Sequence, residues 1–267
     1  MPNILDEILA HKRAEVEQAA AAVPVERLRG QSGYGLPRRN FFGAVSAPRR
    51  GRPNLIAEIK RASPSAGLIR ADFDPVALAR QYAAGGADAI SVLTDEKFFQ
   101  GRLAYIEQVK EAVGPPVLRK DFLISDYQLH ESRAAGADAV LLIAEALEPS
   151  QLPDLVSLAQ ELELCVLLEV HTRQALHQSL TRLDQSRRKN LLIGINNRDL
   201  KTQTIDLDTT AKLAELVPPG LPIVSESGVA TRRDVECLHA AGARALLIGE
   251  ALLRRPDPAE AIRQLFG

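Results

Sequence analysis

The chain has 267 residues, 46% of them apolar and 25% charged, and a formal net charge of −1. Such a length gives one large domain or two small ones with an ample core, and the balanced charge offers no basic field to attract nucleic acid. Two cysteines and no apolar run near the roughly 20 residues of a bilayer span argue against a disulfide scaffold and a membrane helix.

The N-terminal stretch "MPNILDEILAHKRAEVEQAA" spreads its charges and has no apolar signal core. Ile4, Leu5, Ile8 and Leu9 form one stripe at helical spacing, and Asn3 or Asp6 could cap that helix. "GQSGYGLPRRN" and "SAPRRGRP" then read as irregular surface chain. Residues 1–50 are too short to bury a core of their own and are expected to form a helical extension packed on a main domain. The arginine pairs, Arg38-Arg39 among them, read as solvated. Cys165 and Cys237 lie in apolar contexts and read as reduced core residues of a cytoplasmic protein.

From Leu55 onward the text repeats itself. "AAGGADAISVLT" (83–94) is echoed by "AAGADAVLLIA" (134–144) and "AAGARALLIGE" (240–250). Each echo reads as a helix end, a glycine in the left-handed C-cap and a short strand. Five further apolar runs, "LIAEIK", "VLRK", "CVLLEV", "LLIGIN" and "PIVSES", bring the strands to about eight, with helical patterns between them. Eight β/α units in about 250 residues make a closed (β/α)8 TIM barrel. The rival, a doubly wound open sheet, rarely needs so many short units. The expected architecture is one α/β domain over 1–267, with 1–50 as its N-terminal extension.

A barrel gathers its active site at the C-terminal ends of its strands. Those ends carry Glu58 and Lys60, Lys120 and Asp121, Glu169, Asn196 to Arg198, Glu226 to Gly228, and Gly249, whereas the same strands begin apolar. Side chains alternate across a strand, so Glu58 and Lys60 face one side together. One such pair could be a structural salt bridge at the rim. Six polar strand ends are harder to justify structurally, because buried ion pairs rarely add net stability. Asp121 should point the opposite way from Lys120 and orient a neighbour or cap a loop. "SESGV" and "IGEAL" place glycines before helical turns at strands seven and eight, where backbone N–H groups of barrels hold phosphate. Singly, Gly228 and Gly249 would read as turn glycines.

No Walker loop, dinucleotide fingerprint or nucleophile elbow occurs, and the five histidines show no metal-ligand spacing. His171, at the start of a loop, reads as a surface residue. Lysines, glutamates and an asparagine suit proton transfer and electrostatics, and neither cofactor nor metal is expected.

The motifs "EIKRASPSAGLI", "VLTDEKFFQG", "VLRKDFLI", "LLEVHT", "GINNRDL", "VSESGV" and "LIGEALLR" resemble the indole-3-glycerol phosphate synthase family across nearly the whole chain. Ala66 and Arg102 depart from that pattern, both in loops. The resemblance implies decarboxylating, dehydrating closure of the indole ring of 1-(2-carboxyphenylamino)-1-deoxyribulose 5-phosphate. It implies Lys120 as the general acid of ring closure, its pKa lowered by a crowd of cations, and Lys60 as a second lysine sharing proton delivery. Glu169 and Glu58 would serve the dehydration, Asn196 would orient hydroxyls, and Glu226 would hold polar groups in place. Ser63, Arg198 and Leu200 fall at substrate-contacting positions. Phe99, Phe122 and Leu141 would wall the aromatic ring, although a lone Phe is more often core. Ser227, Gly228, Gly249 and Glu250 would cradle the phosphate, Glu250 through its backbone N–H with its side chain turned away. The expected partner is this small phosphorylated substrate, with no nucleic acid and no membrane, bound by a monomer. The rival functions are another phosphosugar barrel enzyme, such as phosphoribosylanthranilate isomerase, and a non-catalytic sensor of a phosphorylated metabolite.

Overall fold

The computed structural model describes residues 4–47, 49, 51–199 and 202–267. Eight parallel strands close into a barrel: β1 Asn54–Ile59, β2 Ala89–Leu93, β3 Val117–Lys120, β4 Ala139–Ile143, β5 Cys165–Val170, β6 Leu191–Asn196, β7 Ile223–Glu226 and β8 Ala245–Ile248. β8 pairs back onto β1, with Asn54 opposite Ala245, so no open edge is left and the open-sheet alternative falls. A helix follows each strand on the outside, from Pro75–Gly85 after β1 to Pro258–Phe266 after β8. In all three sequence echoes the glycine is left-handed: Gly86, Gly136 and Gly242 have φ of 92°, 89° and 100°. Each ends a helix and turns the chain into the next strand, which is why the echo recurs.

Alternation along each strand divides the core in two. Outward residues such as Leu55, Ala57 and Ile59 meet Leu78, Tyr82 and Ile262 of the surrounding helices. Inward residues Ile56, Leu118, Leu167, Leu192 and Val224 fill the lower barrel. Two positions further along, the same inward parity reaches Glu58, Lys120, Glu169, Gly194 and Glu226. The inner face is thus apolar at the floor and ionic at the mouth.

The extension holds both ends of the barrel. The helix α1, Ile4–Ala22, lies against the mouth, where Ile4, Leu5 and Ile8 line the central cavity. Asn3 lies outside the described residues, and Asp6 sits inside the first turn. The irregular stretch after it contains order that its composition conceals. Asn40 caps a short helix, Phe41–Ser46, accepting from the Gly43 backbone N at 2.7 Å. Phe41 and Val45 of that helix, both fully buried, join the inward residues and close the barrel floor.

Arg38 and Arg39 overturn the solvated reading. Arg38 donates to the carbonyls of Arg133 and Ala137, and Arg39 to those of Lys110, Val113 and Pro115. These are carbonyls at and beyond the C-terminal ends of two barrel helices, where cations are favoured. Cys237 is also not a core residue: it is exposed on the helix Arg232–Ala240, and only Cys165 is buried.

Candidate active site

The six polar strand-end residues open into one cavity of about 480 Å³ at the C-terminal mouth. Register brings them together. Leu93 stands opposite Lys120, Ile143 opposite Glu169, and Asn196 opposite Glu226. Lys120 Nζ lies 3.3 Å from Glu169 Oε2 and 3.6 Å from Glu226 Oε2. Asn196 Nδ2 donates to Glu169 Oε1 at 3.1 Å. Lys60 pairs with Glu58 at the same mouth, both from the end of β1. Glycine makes two of these carboxylates possible. A side chain at Gly194 would occupy the place of Glu226 Oε1, and one at Gly249 that of Glu58 Oε1.

The electrostatics follow from this crowding. Burial works against the Lys120 ammonium, but Glu169, Glu226 and Glu58 outweigh it and hold its pKa above the ordinary lysine value. The crowd around Lys120 is therefore anionic, contrary to the expectation of neighbouring cations that lower it. For Glu169, burial favours the neutral acid, yet Lys120, His171 and Asn196 hold it well below the usual carboxylate range. Glu58 shifts the same way, with burial overcome by Lys60 and Lys120. Glu226 goes in the opposite direction: burial first and the Glu169 charge second push it up to about 8. Neither Glu226 oxygen has a hydrogen-bond partner among the described residues. Of Lys120, Glu169, Glu58 and Glu226, the first three stay charged and Glu226 alone is neutral near pH 7.

The remaining expected residues line the same cavity: Ser63, Phe99, Phe122, Leu141, Arg198, Ser227, Gly228, Gly249 and Glu250. Leu200 lies outside the described residues. The Phe99 and Phe122 rings stand 6.0 Å apart at a 39° tilt and make one aromatic wall. Asn196 Oδ1 accepts the Arg198 backbone N–H at 3.0 Å and so fixes the turn after β6. Ser227 and Gly228 both take left-handed backbone, with φ of 66° and 92°. A left-handed serine is costly and concentrates at functional sites. The Glu250 carboxylate is taken by Arg254 at 2.8 Å, at the far end of the short helix Glu250–Leu253.

Three features escaped the sequence reading. His171 is not a surface residue: its side chain is 5% exposed and stands 3.3 Å from both Glu145 and Glu169. The signal was present, since His171 lies two residues past Glu169 and shares its inward parity. The Asp121 carboxylate is taken up by partners other than Lys120. It meets Lys12 Nζ at 3.0 Å and Arg119 at 3.1 Å, with Asp95 on the other side of Lys12 at 2.9 Å. Lys12 is wholly buried, and no local pattern announced a lysine as the anchor of α1. Ile4, Leu5 and Ile8 also wall the cavity instead of packing only against the barrel.

Comparison with known proteins gives the family. The family model described as Indole-3-glycerol phosphate synthase matches residues 5–265. The chain is 47% identical to the indole-3-glycerol phosphate synthase of Acidithiobacillus ferrooxidans over 267 residues, covering 100% of this chain and 99% of that one. It is 48% identical to that of Geobacillus kaustophilus over 264 residues, covering 99% and 97%. Among solved structures, 3-hexulose-6-phosphate synthase superposes with a TM-score of 0.61 at 18% identity, over 79% of this chain and 97% of that one, a likeness of fold alone. The chain belongs to the indole-3-glycerol phosphate synthase family, the decarboxylating lyases that close the indole ring in tryptophan biosynthesis.

Proposed function

We propose that Lys120 is the general acid of ring closure and that the groups around it divide the remaining steps. The substrate, 1-(2-carboxyphenylamino)-1-deoxyribulose 5-phosphate, must bring its ring carbon onto its own sugar carbonyl. Attack needs a proton at the carbonyl oxygen, and the Lys120 ammonium supplies it. The ring formed is cationic, so it draws in the electrons released as CO2 leaves. Restored aromaticity drives that step. Dehydration then needs an acid for the departing hydroxyl and a base for a carbon proton. Glu169 and Glu58, both held ionised, serve as base and as counter-charges to the cationic ring. Lys60, paired with Glu58, contacts the substrate and shares proton delivery. Asn196 orients hydroxyls, and Glu226, neutral in the empty site, offers an O–H to substrate oxygens.

Phe99, Phe122 and Leu141 form the wall for the aromatic ring, and Ser63, Arg198 and Leu200 flank the substrate. Ser227, Gly228, Gly249 and Glu250 hold the phosphate through backbone N–H groups, which suits an anion at the strand-seven and strand-eight loops. The pairing of the Glu250 carboxylate with Arg254 supports this, because it offsets a charge that would repel phosphate. The protein works as a monomer in the cytoplasm. Among the described residues the large exposed apolar side chains, Leu36, Leu68 and Ile205, stand in three separate segments. An exposed free thiol at Cys237 suits a reducing compartment.

The observation that carries the assignment is Lys120 Nζ within 3.3 Å of Glu169 Oε2 at the end of a half-buried cavity. Lys120→Met tests it. Indole formation, followed by fluorescence, should fall by roughly 100-fold or more, while substrate still binds in equilibrium titration. Near-normal turnover would remove Lys120 from this role.

A further inference from the structure

Glu169 carries two oxygens in unlike surroundings. Oε2 faces Lys120 at 3.3 Å. Oε1 receives Asn196 Nδ2 at 3.1 Å and lies 3.3 Å from His171 Nε2. The other ring nitrogen, Nδ1, lies 3.3 Å from Glu145 Oε2. Glu145 Oε1 accepts the His171 backbone N–H at 2.9 Å, so one carboxylate grips both the main chain and the ring of His171. This follows from register. Ile143 on β4 stands opposite Glu169 on β5, and two residues further on each chain Glu145 meets His171.

A neutral imidazole has one N–H and one lone pair, so either tautomer would turn a lone pair towards a carboxylate. Only the imidazolium offers positive charge to both, at Nε2 as an ion pair without an aligned hydrogen bond. The charged groups facing the ring are Glu145 from the turn after β4 and Glu169 from β5, with Lys120 of β3 beyond Glu169. Burial works against the imidazolium, but the two carboxylates prevail and raise His171 to about 10.

We propose that His171, anchored by Glu145, is a positioning residue that clamps Oε1 of Glu169 and leaves Oε2 as the working oxygen of that carboxylate. The clamp acts through Glu169 and does not touch the substrate. It rests on the role given to Glu169 above. It fixes the rotation of the carboxylate about its last bond, and it keeps the group ionised beside the uncharged Glu226.

Three variants test it: His171→Leu, which removes the donor at similar volume, His171→Gln, whose amide can reach the Nε2 position, and Glu145→Gln. His171→Leu should lower kcat roughly tenfold or more with KM changed less than about threefold, as loss of one buried ion-pair contact to the working carboxylate predicts. With a stabilising cation gone, Glu169 protonates more readily, so the acid limb of the kcat profile should move to higher pH. His171→Gln should restore most of kcat. Glu145→Gln keeps an acceptor for the His171 N–H and should move the acid limb the same way by less, which serves if His171→Leu does not fold. Wild-type kcat and an unmoved acid limb in His171→Leu, or in Glu145→Gln where the former is unfolded, overturn the clamp. Equal impairment of His171→Gln and His171→Leu with lowered Tm in both assigns a structural role and also overturns it. Glu169→Gln is measured alongside. If its turnover is unchanged, the role of Glu169 fails and the clamp with it. If it is impaired beside a normal His171→Leu, the clamp alone fails.

Discussion

Glu169 and Glu226 are the same side chain on strands separated by one other, and the cavity charges one and leaves the other neutral. Glu169 has Lys120, His171 and Asn196 around it, while Glu226 stands farther from Lys120, at 3.6 Å, with no hydrogen bond to either oxygen among the described residues and an anion beside it. A carboxylic acid that is neutral near pH 7 is nearly isosteric and isoelectronic with an amide. Glu226→Gln should therefore keep kcat within about tenfold of wild type at pH 7, unlike Lys120→Met. Its stability should differ with pH. The folded chain retains a proton on Glu226 up to about 8, which the unfolded chain releases in the ordinary glutamate range. Unfolded molecules then bind fewer protons than folded ones, so this group makes wild-type stability fall as pH rises between those values. Glu226→Gln should raise Tm relative to wild type at pH 8 and leave it nearly unchanged at pH 4; thermal unfolding across that range decides. These residue-scale assignments were half legible. Parity along each strand told which side chains face inward, but the charge each carries depends on neighbours from other strands, and no string of residues lists those.

At the scale of elements, α1 is the clearest case of a local pattern meeting a non-local cause. Its apolar stripe predicted the helix and one buried face. What fixes its place on the barrel is Lys12, whose ammonium sits between Asp95 and Asp121, with Glu15 at 2.9 Å. Asp95 in turn accepts the Phe98 N–H at 2.8 Å, next to the aromatic wall residue Phe99, and Asp121 adjoins Lys120. The anchor thus joins the extension to the loops after β2 and β3. Lys12→Met leaves Asp95 buried without its cation and should cost roughly 3 kcal/mol or more of stability. KM should rise as well, because Ile8 of the same helix walls the cavity. Asp121 adds a pH signature. Burial opposes its charge, but Arg119 and Lys12 overcome this and hold it at about 2. Its stabilisation is complete above the unfolded aspartate range and is lost as pH falls from about 4 towards 2. Wild type should lose stability across that window, and Lys12→Met should lose less; acid unfolding by circular dichroism measures both.

For the whole molecule, the closed barrel separates stability from chemistry along its axis. The floor is apolar and sealed by Phe41 and Val45, and the mouth is ionic. Phe41→Ala should cost about 3–5 kcal/mol of stability through the cavity it leaves, with kcat of the folded fraction unchanged. Denaturant unfolding and a substrate titration together check both parts; a large fall in kcat would contradict the division.

The sequence by itself determined the eight strands, the glycines that end helices, the polar strand ends and the family, because these rest on periodicity, backbone conformation and motifs that are local in the chain. Only the tertiary structure decided that Phe41 plugs the floor, that Arg38 and Arg39 tie helix ends, that Lys12 anchors the extension, and that His171 and Glu145 lie behind Glu169. Apart from the neighbours His171 and Glu169, each of these is an electrostatic or packing relation between segments well separated in the chain. Its energy depends on distance and burial in space, which a closed barrel sets by register and which linear spacing does not carry.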